Sequence, residues 1–385
     1  MNRRDFLHAI GASTAVITLS PGVAFAVGAD YGKLLVLVEL KGGNDGLNTV
    51  VPYANGEYYN LRPRLAVARD QVLQLDADTG LHPSLQALMP LWEARELAVI
   101  QGVGYPGANL SHFRSIEIWD TASKSNEYLK DGWLTRAFAG TPTPRTYAAD
   151  GVVVGGAEMG PFAGRGARAI TLSNTEQFLR QAKLAAPAGQ SRNAALAHIL
   201  RVENDIARAA VDLNADYAFR TEFPRSAFGN AIRTASQVVA SKAGVAAVKV
   251  SLNGFDTHGN QQTVHARLLR DFGEGITALK SALVELGRWD STLVVTYAEF
   301  GRRPRENQSG GTDHGTSSAL FALGGAVRGG LYGLPPQLKL LDGNGNLPFA
   351  VDFRDLYATV LERWWGVPSA PVLNARFTPV DLLRS

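Results

Sequence analysis

The chain of 385 residues contains no cysteine. This absence excludes disulfide bonds, zinc sites built from thiolates, and a thiol nucleophile. An excess of one charge is also missing, because 38 Lys and Arg face 35 Asp and Glu, for a formal net charge of +3. No broad electric field therefore attracts nucleic acid or anionic lipid. We expect no nucleic-acid partner, and any bound anion must be held locally.

Long hydrophobic runs are missing as well, and the N-terminus carries a different signal. Arg3 and Arg4 precede a weakly apolar stretch, residues 9–19, and the small-residue ending Ala24-Phe25-Ala26. This pattern predicts a twin-arginine export signal over residues 1–26, cleaved after Ala26, and a mature domain over residues 27–385. The apolar stretch is too short to span a membrane. We therefore expect the translocation machinery as a partner, a periplasmic or extracellular location, and no stable membrane span after cleavage.

Apolar runs typical of buried strands alternate with helical patterns along the mature chain. Predicted helices lie near residues 83–96 and 111–122, along a periodic stretch from Val264 to Leu286, and from Asp352 to Gly366. Residues 174–245 are mostly helical in pattern and predict an insertion. The predicted strands are residues 33–40, 97–104, 147–156, 167–173, 246–254, 291–301 and 319–325. This alternation predicts a doubly wound, mainly parallel α/β sheet with helices on both faces.

Polar side chains cluster where the predicted strands end. They are Asn44, Asp45, Asp256, His258, Glu299, Asp313 and His314. Ligands of such sheets bind beyond the carboxyl ends of the strands, and carboxylate and imidazole groups suit a divalent cation. Asp256 and His258, two positions apart on extended backbone, point to the same side. The alternative is ordinary turn chemistry, because an aspartate beside glycine often caps its own backbone.

The segment QGVGYPGANLSHFRSIEIW allows two interpretations. Gly102, Gly104 and Gly107 form a G-x-G-x-x-G pattern after a strand, as in dinucleotide-binding proteins, but Pro106 interrupts it. Alternatively, Ser111 begins a helix whose N-terminus holds a phosphate or sulfate, with His112 and Arg114 nearby. Serine is also a common helix cap, so a purely structural role for Ser111 stays open.

Four blocks of the chain closely resemble a known family. LVLVELKGGNDGLNTVVPY, LHPSLQALMPLWEARELAVIQGVGYPGANLSHFRSIEIW, GFDTHGNQ and TYAEFGRRPRENQSGGTDHGTSSALFALGGAVRGGLYG are similar to the exported bacterial domain-of-unknown-function family 1501. The resemblance runs from about Lys33 to Gly366, and the family is grouped with the alkaline phosphatase-like superfamily. The resemblance implies Ser111 as the nucleophile. It implies metal ligands at Asp45, Asp256, His258 and His314, with Asp313 sharing the last role.

The chain departs from the superfamily pattern at two places. Glu299-Phe300 replaces the usual Asp-His pair, so Glu299 is the acidic candidate ligand there. Because one histidine of the superfamily pattern is missing, the resemblance does not establish a second metal. The residues after Ser111 lack the proline of formylglycine sulfatases, which disfavours that chemistry. In the remaining chemistry an ion polarises the ester, while Arg114 or Arg302 neutralises the anion.

These observations together predict an exported metal-dependent hydrolase acting on phosphoryl-type esters. The cofactor would be a divalent ion, with Zn, Mn, Mg and Ca all open, and the substrate a small anionic ester or an envelope glycan. The alternative is a non-catalytic binding or assembly protein of the cell envelope with the same fold.

Overall fold

The computed structural model describes residues 29–172, 217–241 and 244–384. The predicted export signal lies outside the described residues, as does the larger part of the predicted helical insertion. Within the described ranges, no helix is both long and apolar enough to cross a membrane.

The described residues form fourteen strands and nine α-helices. The strands are β1 (Leu34–Lys41), β2 (Val50–Val51), β3 (Leu73–Gln74), β4 (Gly80–Leu81), β5 (Leu97–Gly104), β6 (Ala149–Val154), β7 (Ala169–Leu172), β8 (Val245–Asn253), β9 (Thr292–Tyr297), β10 (Arg302–Glu306), β11 (Thr312–His314), β12 (Ser318–Leu323), β13 (Gly330–Gly333) and β14 (Val351–Asp352). The helices are α1 (Gly46–Thr49), α2 (Gly56–Leu61), α3 (Met89–Glu93), α4 (His112–Thr121), α5 (Trp133–Gly140), α6 (Ala227–Ala240), α7 (Gln261–Glu285), α8 (Phe353–Ala358) and α9 (Ser369–Leu373).

A mixed, mostly parallel sheet forms the centre of the molecule. Its strand order is β13-β5-β12-β9-β1-β8-β6-β7, with β14 also paired to β5. Strand β1 pairs in parallel with both β8 and β9, whereas β12 is antiparallel to β5 and β9. Two small sheets, β10-β11 and β2-β4-β3, lie beside it. The predicted α/β sheet is thereby confirmed.

Alternate residues of β1 enter two different hydrophobic cores. Leu34, Val36 and Val38 pack in one core with α6 and α7, whereas Leu35 and Leu37 pack in the other with α4, α5 and α8. Each fully buried side chain of this kind contributes about 1.5–3 kcal/mol relative to exposure. The continuous apolar run of β1 therefore reflects burial on both faces, and helices cover both faces as predicted.

Glycines allow the loops after the strands to approach one another. Gly42 follows β1 with φ of 115°, and a Cβ there would lie 2.4 Å from the backbone nitrogen of Asp256. Gly43 has φ of 79°, and its Cβ would meet the ring of Phe300 at 2.4 Å. Residues with a side chain are strained in this backbone region. The two glycines thus bring the ends of β1, β8 and β9 together.

Two helical predictions differ in detail from the structure. The predicted helix over residues 83–96 is a 3-10 helix, Pro83–Leu88, followed by the short α3. Pro90 contributes to this break because it cannot donate a backbone hydrogen bond. Within the predicted insertion, residues 174–216 and 242–243 lie outside the described residues. Helix α6 packs against the central sheet through Phe228 and Ile232, and residue 245 already begins β8.

Candidate active site

Four side chains from three separate segments of the chain meet beyond the carboxyl ends of β1, β8 and β9. His112 is the first residue of α4, and His314 is the last residue of β11. Asp256 and His258 follow β8, where Gly254 with φ of 115° turns the chain. We call these four residues the His-Asp cluster. Its position matches the site expected from strand topology.

Ring nitrogens of the cluster face the Asp256 carboxylate at short distances. The Nε2 atoms of His258 and His314 lie 3.1 and 3.2 Å from Asp256 Oδ1, and His112 Nε2 lies 3.4 Å from Asp256 Oδ2. His258 Nε2 and His314 Nε2 are 3.0 Å apart. Ligand atoms of His112, Asp256 and His314 all lie within 4.8 Å of one another. One cation can therefore contact several of these atoms at once.

Glu299 anchors the other nitrogen of His112. Its Oε1 lies 2.8 Å from His112 Nδ1, and both carboxylate oxygens accept from the Gly42 backbone N–H at 2.9 and 3.1 Å. The backbone carbonyl of Glu299 also accepts a hydrogen bond from the Ser115 hydroxyl. A carboxylate can only accept hydrogen bonds, so the Glu299 carboxylate requires the proton of neutral His112 to be on Nδ1. This tautomer leaves a lone pair on Nε2.

The other two histidines follow the same arrangement. His314 Nδ1 lies 2.8 Å from the Leu110 carbonyl, which can only accept, so its Nε2 also carries a lone pair. His258 Nδ1 lies 3.3 Å from Asp313 Oδ1. Burial lowers the pKa of His314, which favours its neutral form. Histidine ligands of metals are commonly held in this way, with the second nitrogen bonded to a carboxylate or a carbonyl.

Arg302 fixes the Asp256 carboxylate from behind. Its buried guanidinium donates to Asp256 Oδ1 at 2.6 Å, and to the carbonyls of Gly42, Gly43, Phe255 and Thr312. Burial alone would raise the pKa of Asp256, but the hydrogen bond and charge of Arg302 outweigh burial and hold that pKa below its usual value. The carboxylate stays charged, and 46% of its side chain is exposed to a ligand.

The His-Asp cluster fits a metal ion. His112 Nε2 is buried and has no hydrogen-bond partner among the described residues. An unpartnered buried nitrogen with a lone pair, beside a charged carboxylate, is costly unless a ligand binds there. Three imidazoles and one carboxylate favour a borderline cation such as Zn²⁺ over Mg²⁺ or Ca²⁺, which prefer oxygen ligands.

The three residues expected to act in catalysis have different surroundings. Ser111 directly precedes His112, is exposed, and forms no side-chain capping hydrogen bond within the described residues. Arg114 instead donates to the carbonyls of residues 124, 125 and 127 and lies over the ring of Tyr128 at 3.9 Å. Arg302 is buried and fully occupied by acceptors. Of these three residues, Ser111 is the one that is exposed and adjacent in the sequence to a member of the cluster.

Asp45 does not join the His-Asp cluster, which departs from the expected ligand set. Its carboxylate pairs with Arg62 at 2.6 Å, and neither side chain is exposed. It also accepts from the Gln261 amide at 2.5 Å and from the Leu47 backbone N–H at 3.2 Å, as the cap of α1. These contacts occupy its oxygens and give Asp45 a structural role at the start of α1 in place of the expected role as a ligand. Glu299 and Asp313 likewise serve as anchors of histidines.

The structure also alters two interpretations of the segment before α4. Gly102 and Gly104 lie inside β5, and α4 begins only at His112. A dinucleotide fingerprint requires these glycines in a tight turn between strand and helix, so the pattern does not fit. The sequence pattern predicts a functional role for Ser111 and does not predict His112 as a ligand. Its place at the predicted helix start was the available signal.

Solved structures with a similar arrangement of sheet and helices come from several bacteria. A protein of the alkaline phosphatase superfamily from Vibrio parahaemolyticus has 12% identity and a TM-score of 0.43, covering 98% of this chain and 78% of that chain. The lipoteichoic acid synthase LtaP from Listeria monocytogenes has 11% identity and a TM-score of 0.38, covering 90% and 78%. The zinc complex of the C-terminal periplasmic domain of EcEptC from Escherichia coli has 12% identity and a TM-score of 0.38, covering 77% and 74%.

Comparison of the sequence with curated proteins finds no match. Comparison with family profiles gives one match, to a family described as protein of unknown function DUF1501, over residues 32–374. The match covers most of the chain, including every member of the His-Asp cluster, and confirms the resemblance inferred from the four sequence blocks. The chain therefore belongs to the DUF1501 family.

Proposed function

We propose that the protein is an exported metal-dependent hydrolase of phosphoryl-type esters. The observation that carries this proposal is the convergence of three imidazole nitrogens on Asp256, with the second nitrogen of each histidine held by an acceptor. A purely structural cluster has no need to present three lone pairs to one point. The export signal that the sequence predicts over residues 1–26 agrees with a role in the periplasm or outside the cell.

The ligands of the ion in this proposal are His112, Asp256 and His314, with His258 beside them. A bound divalent ion would polarise the ester and lower the pKa of an attacking hydroxyl. The other residues act on the ligands: Glu299 orients His112, Asp313 orients His258, and Arg302 keeps Asp256 charged and in place. The donor set of three imidazoles and one carboxylate favours Zn²⁺ over Mg²⁺ and Ca²⁺.

Ser111 is the proposed nucleophile because its hydroxyl is uncommitted and adjacent in sequence to a ligand. Its backbone N–H donates to Asn109 Oδ1 at 2.9 Å, which fixes the backbone of the residue while the side chain stays free. The substrate would be a small anionic ester or an esterified envelope glycan. Arg302 and Nη2 of Arg114 already donate to other acceptors, so a bound ion would supply the positive charge opposite the substrate.

A second candidate function is binding or assembly at the cell envelope without catalysis. Asp45 favours this alternative, since its buried pair with Arg62 removes an acidic side chain from the first-strand position. The remaining ligands suffice for one ion. A protein with one ion can retain the site for binding or structural purposes and lack hydrolytic activity.

Hydrolysis assays distinguish the two functions. Mature protein loaded with Zn²⁺ or Mn²⁺ is tested on p-nitrophenyl phosphate, bis(p-nitrophenyl) phosphate and p-nitrophenyl sulfate. The hydrolase proposal predicts metal-dependent turnover of a phosphate ester that falls by at least about a hundredfold in Ser111→Ala. Ser309→Ala, at another exposed serine, is the matched control. Metal binding without turnover of any of these esters would support the binding protein instead.

A further inference from the structure

A cavity separate from the His-Asp cluster lies at the end of β5 and β12. Its volume is about 250 Å³, and two loops, residues 334–337 and 347–350, form much of its wall. These loops contribute the apolar residues Leu334, Pro335, Pro336, Leu347, Pro348 and Phe349. Leu334 and Phe349 stay 58% and 40% exposed. Large apolar side chains exposed around a cavity indicate a binding site for an apolar group.

Polar groups in the cavity wall are almost all engaged with the protein itself. Ser317 Oγ donates to the Pro348 carbonyl at 3.2 Å, and Ser318 Oγ donates to the Asn44 carbonyl at 3.3 Å. Arg302 also lines the cavity, but each nitrogen of its guanidinium already donates to an oxygen. No free charge therefore faces the cavity from these side chains.

Gln101 is the exception. It lines the cavity and is only 4% exposed, yet its side-chain amide forms no hydrogen bond to any described residue. The amide atoms are not among the buried atoms that lack a partner, so they reach the accessible space of the cavity and are available to a ligand. The amide offers both a donor and an acceptor. A ligand with one hydroxyl, carbonyl or amide group can satisfy it.

The backbone at Gln101 is irregular in a way that shapes this cavity. Ser318 pairs with Val103 and Leu320 pairs with Ile100, so Gln101 and Gly102 together oppose the single residue between them in β12. This is a β-bulge, and Gly102 has φ of 68°. Bulges redirect side chains and are frequent beside functional sites. The bulge thus accounts for a polar side chain at this cavity.

We propose that this cavity binds an uncharged, mainly apolar organic ligand that bears one hydrogen-bonding group recognised by Gln101. An apolar cavity of roughly 150 Å³ holds benzene, so the larger volume here fits a two-ring aromatic group or a short acyl chain. The ligand is uncharged because Arg302, the charged residue in the wall, is already paired with Asp256. This proposal is independent of the hydrolase function, since it invokes no member of the His-Asp cluster.

Equilibrium dialysis of the mature protein with two matched probes tests the proposal. The probes are 2-naphthol, which can bond to the amide, and 2-methylnaphthalene, which cannot. We expect saturable binding of both at one site, with 2-naphthol about fivefold tighter. Gln101→Leu should abolish that preference while it preserves binding of 2-methylnaphthalene. Gln337→Leu, at an exposed glutamine in the same wall, should retain the preference.

A third variant locates the probes. Ala350→Trp at the exposed edge of the cavity should block both probes, and a thermal melt establishes that each variant is folded. The proposal is overturned if neither probe binds saturably, if Gln101→Leu keeps the fivefold preference, or if Ala350→Trp binds both probes like the wild type. None of these readouts involves ester hydrolysis, so failure here leaves the proposed hydrolase function intact.

Discussion

His112 and Glu299, which are 187 positions apart in the chain, meet with Nδ1 and Oε1 at 2.8 Å. The contact joins the start of α4 to the end of β9 and turns Nε2 of His112 toward Asp256. Glu299 also accepts the Gly42 N–H, so one buried carboxylate ties the loop after β1 to a candidate ligand. This relationship underlies the first prediction.

Glu299→Gln should weaken metal binding without removing a ligand. Glutamine keeps one oxygen, but it loses the charge that orients the His112 ring, and loss of such a partner typically costs 10–100-fold in metal affinity. Competition with a chromophoric chelator measures the Zn²⁺ affinity. Glu57→Gln, at the surface on α2, is the control and should bind like the wild type. Equal affinities in the Glu299 variant and the control would refute the anchoring role.

Arg302→Lys should destabilise the fold. Lysine cannot reproduce the planar fork that reaches four carbonyls and Asp256, and it leaves buried acceptors unpaired. We expect a loss of about 2–4 kcal/mol in the free energy of unfolding, measured by urea denaturation. Arg305→Lys changes an exposed arginine three positions away and should cost less than about 0.5 kcal/mol. Similar unfolding midpoints for the two variants would show that the contacts of Arg302 contribute little.

The pH dependence of stability should contain a signature of Asp120. Burial raises the pKa of this carboxyl to about 8, although the charge of Lys249 opposes the shift. The folded protein then keeps a proton that the unfolded chain releases above its ordinary pKa of 3.8. The contribution of the Asp120 carboxyl to the free energy of unfolding is fully present below about pH 4. It declines as the pH rises and is lost above about pH 8.

Asp120→Asn tests that expectation because the amide does not titrate. The free energy of unfolding of the wild type, relative to this variant, should decrease steadily between pH 5 and pH 8. Urea denaturation at each pH gives the difference directly. Parallel curves for the two proteins would mean that the Asp120 carboxyl has an ordinary pKa in the folded state.

Two buried histidines should make the protein sensitive to acid. Burial lowers the pKa of His265 to about 3 and that of His82 to about 4, against 6.5 in the unfolded chain. The stabilisation from the two neutral imidazoles is complete above pH 6.5. It is lost as the pH falls toward 4 for His82 and toward 3 for His265, at up to about 1.4 kcal/mol per pH unit for each histidine. His265→Gln should therefore remove about half of that slope between pH 6 and pH 4. An unchanged slope would exclude His265 as a source.

Sequence patterns predicted most of the sheet and part of the site. The run of β1 and the glycine-flanked positions of Asp256, His258 and His314 depend on local features, namely continuous burial and strand ends. Because parallel strands end at one edge of the sheet, their proximity followed from topology. Features that depend on local patterns of this kind can be predicted from the sequence alone.

The remaining features depend on partners distant in the chain. The position of Asp45 after β1 predicts a metal ligand, but in the structure its carboxylate forms a buried ion pair with Arg62. The spacing of the two residues in the sequence does not predict that pair. The role of Glu299 emerges only from its contacts with His112 and Gly42. Arg302 resembles an anion-binding residue in sequence, but its burial commits it to carbonyls and Asp256. Tertiary contacts therefore decide which polar residues remain available.

Metal content of the purified mature protein tests the central claim most directly. Elemental analysis after dialysis against Zn²⁺ and gel filtration should give one ion per chain in the wild type. The same ratio is expected in His82→Gln, which changes a buried histidine outside the cluster. The double variant His112→Ala, His314→Ala should retain no ion. A wild type without a stoichiometric ion, or a double variant that retains it, would contradict a metal site at the His-Asp cluster.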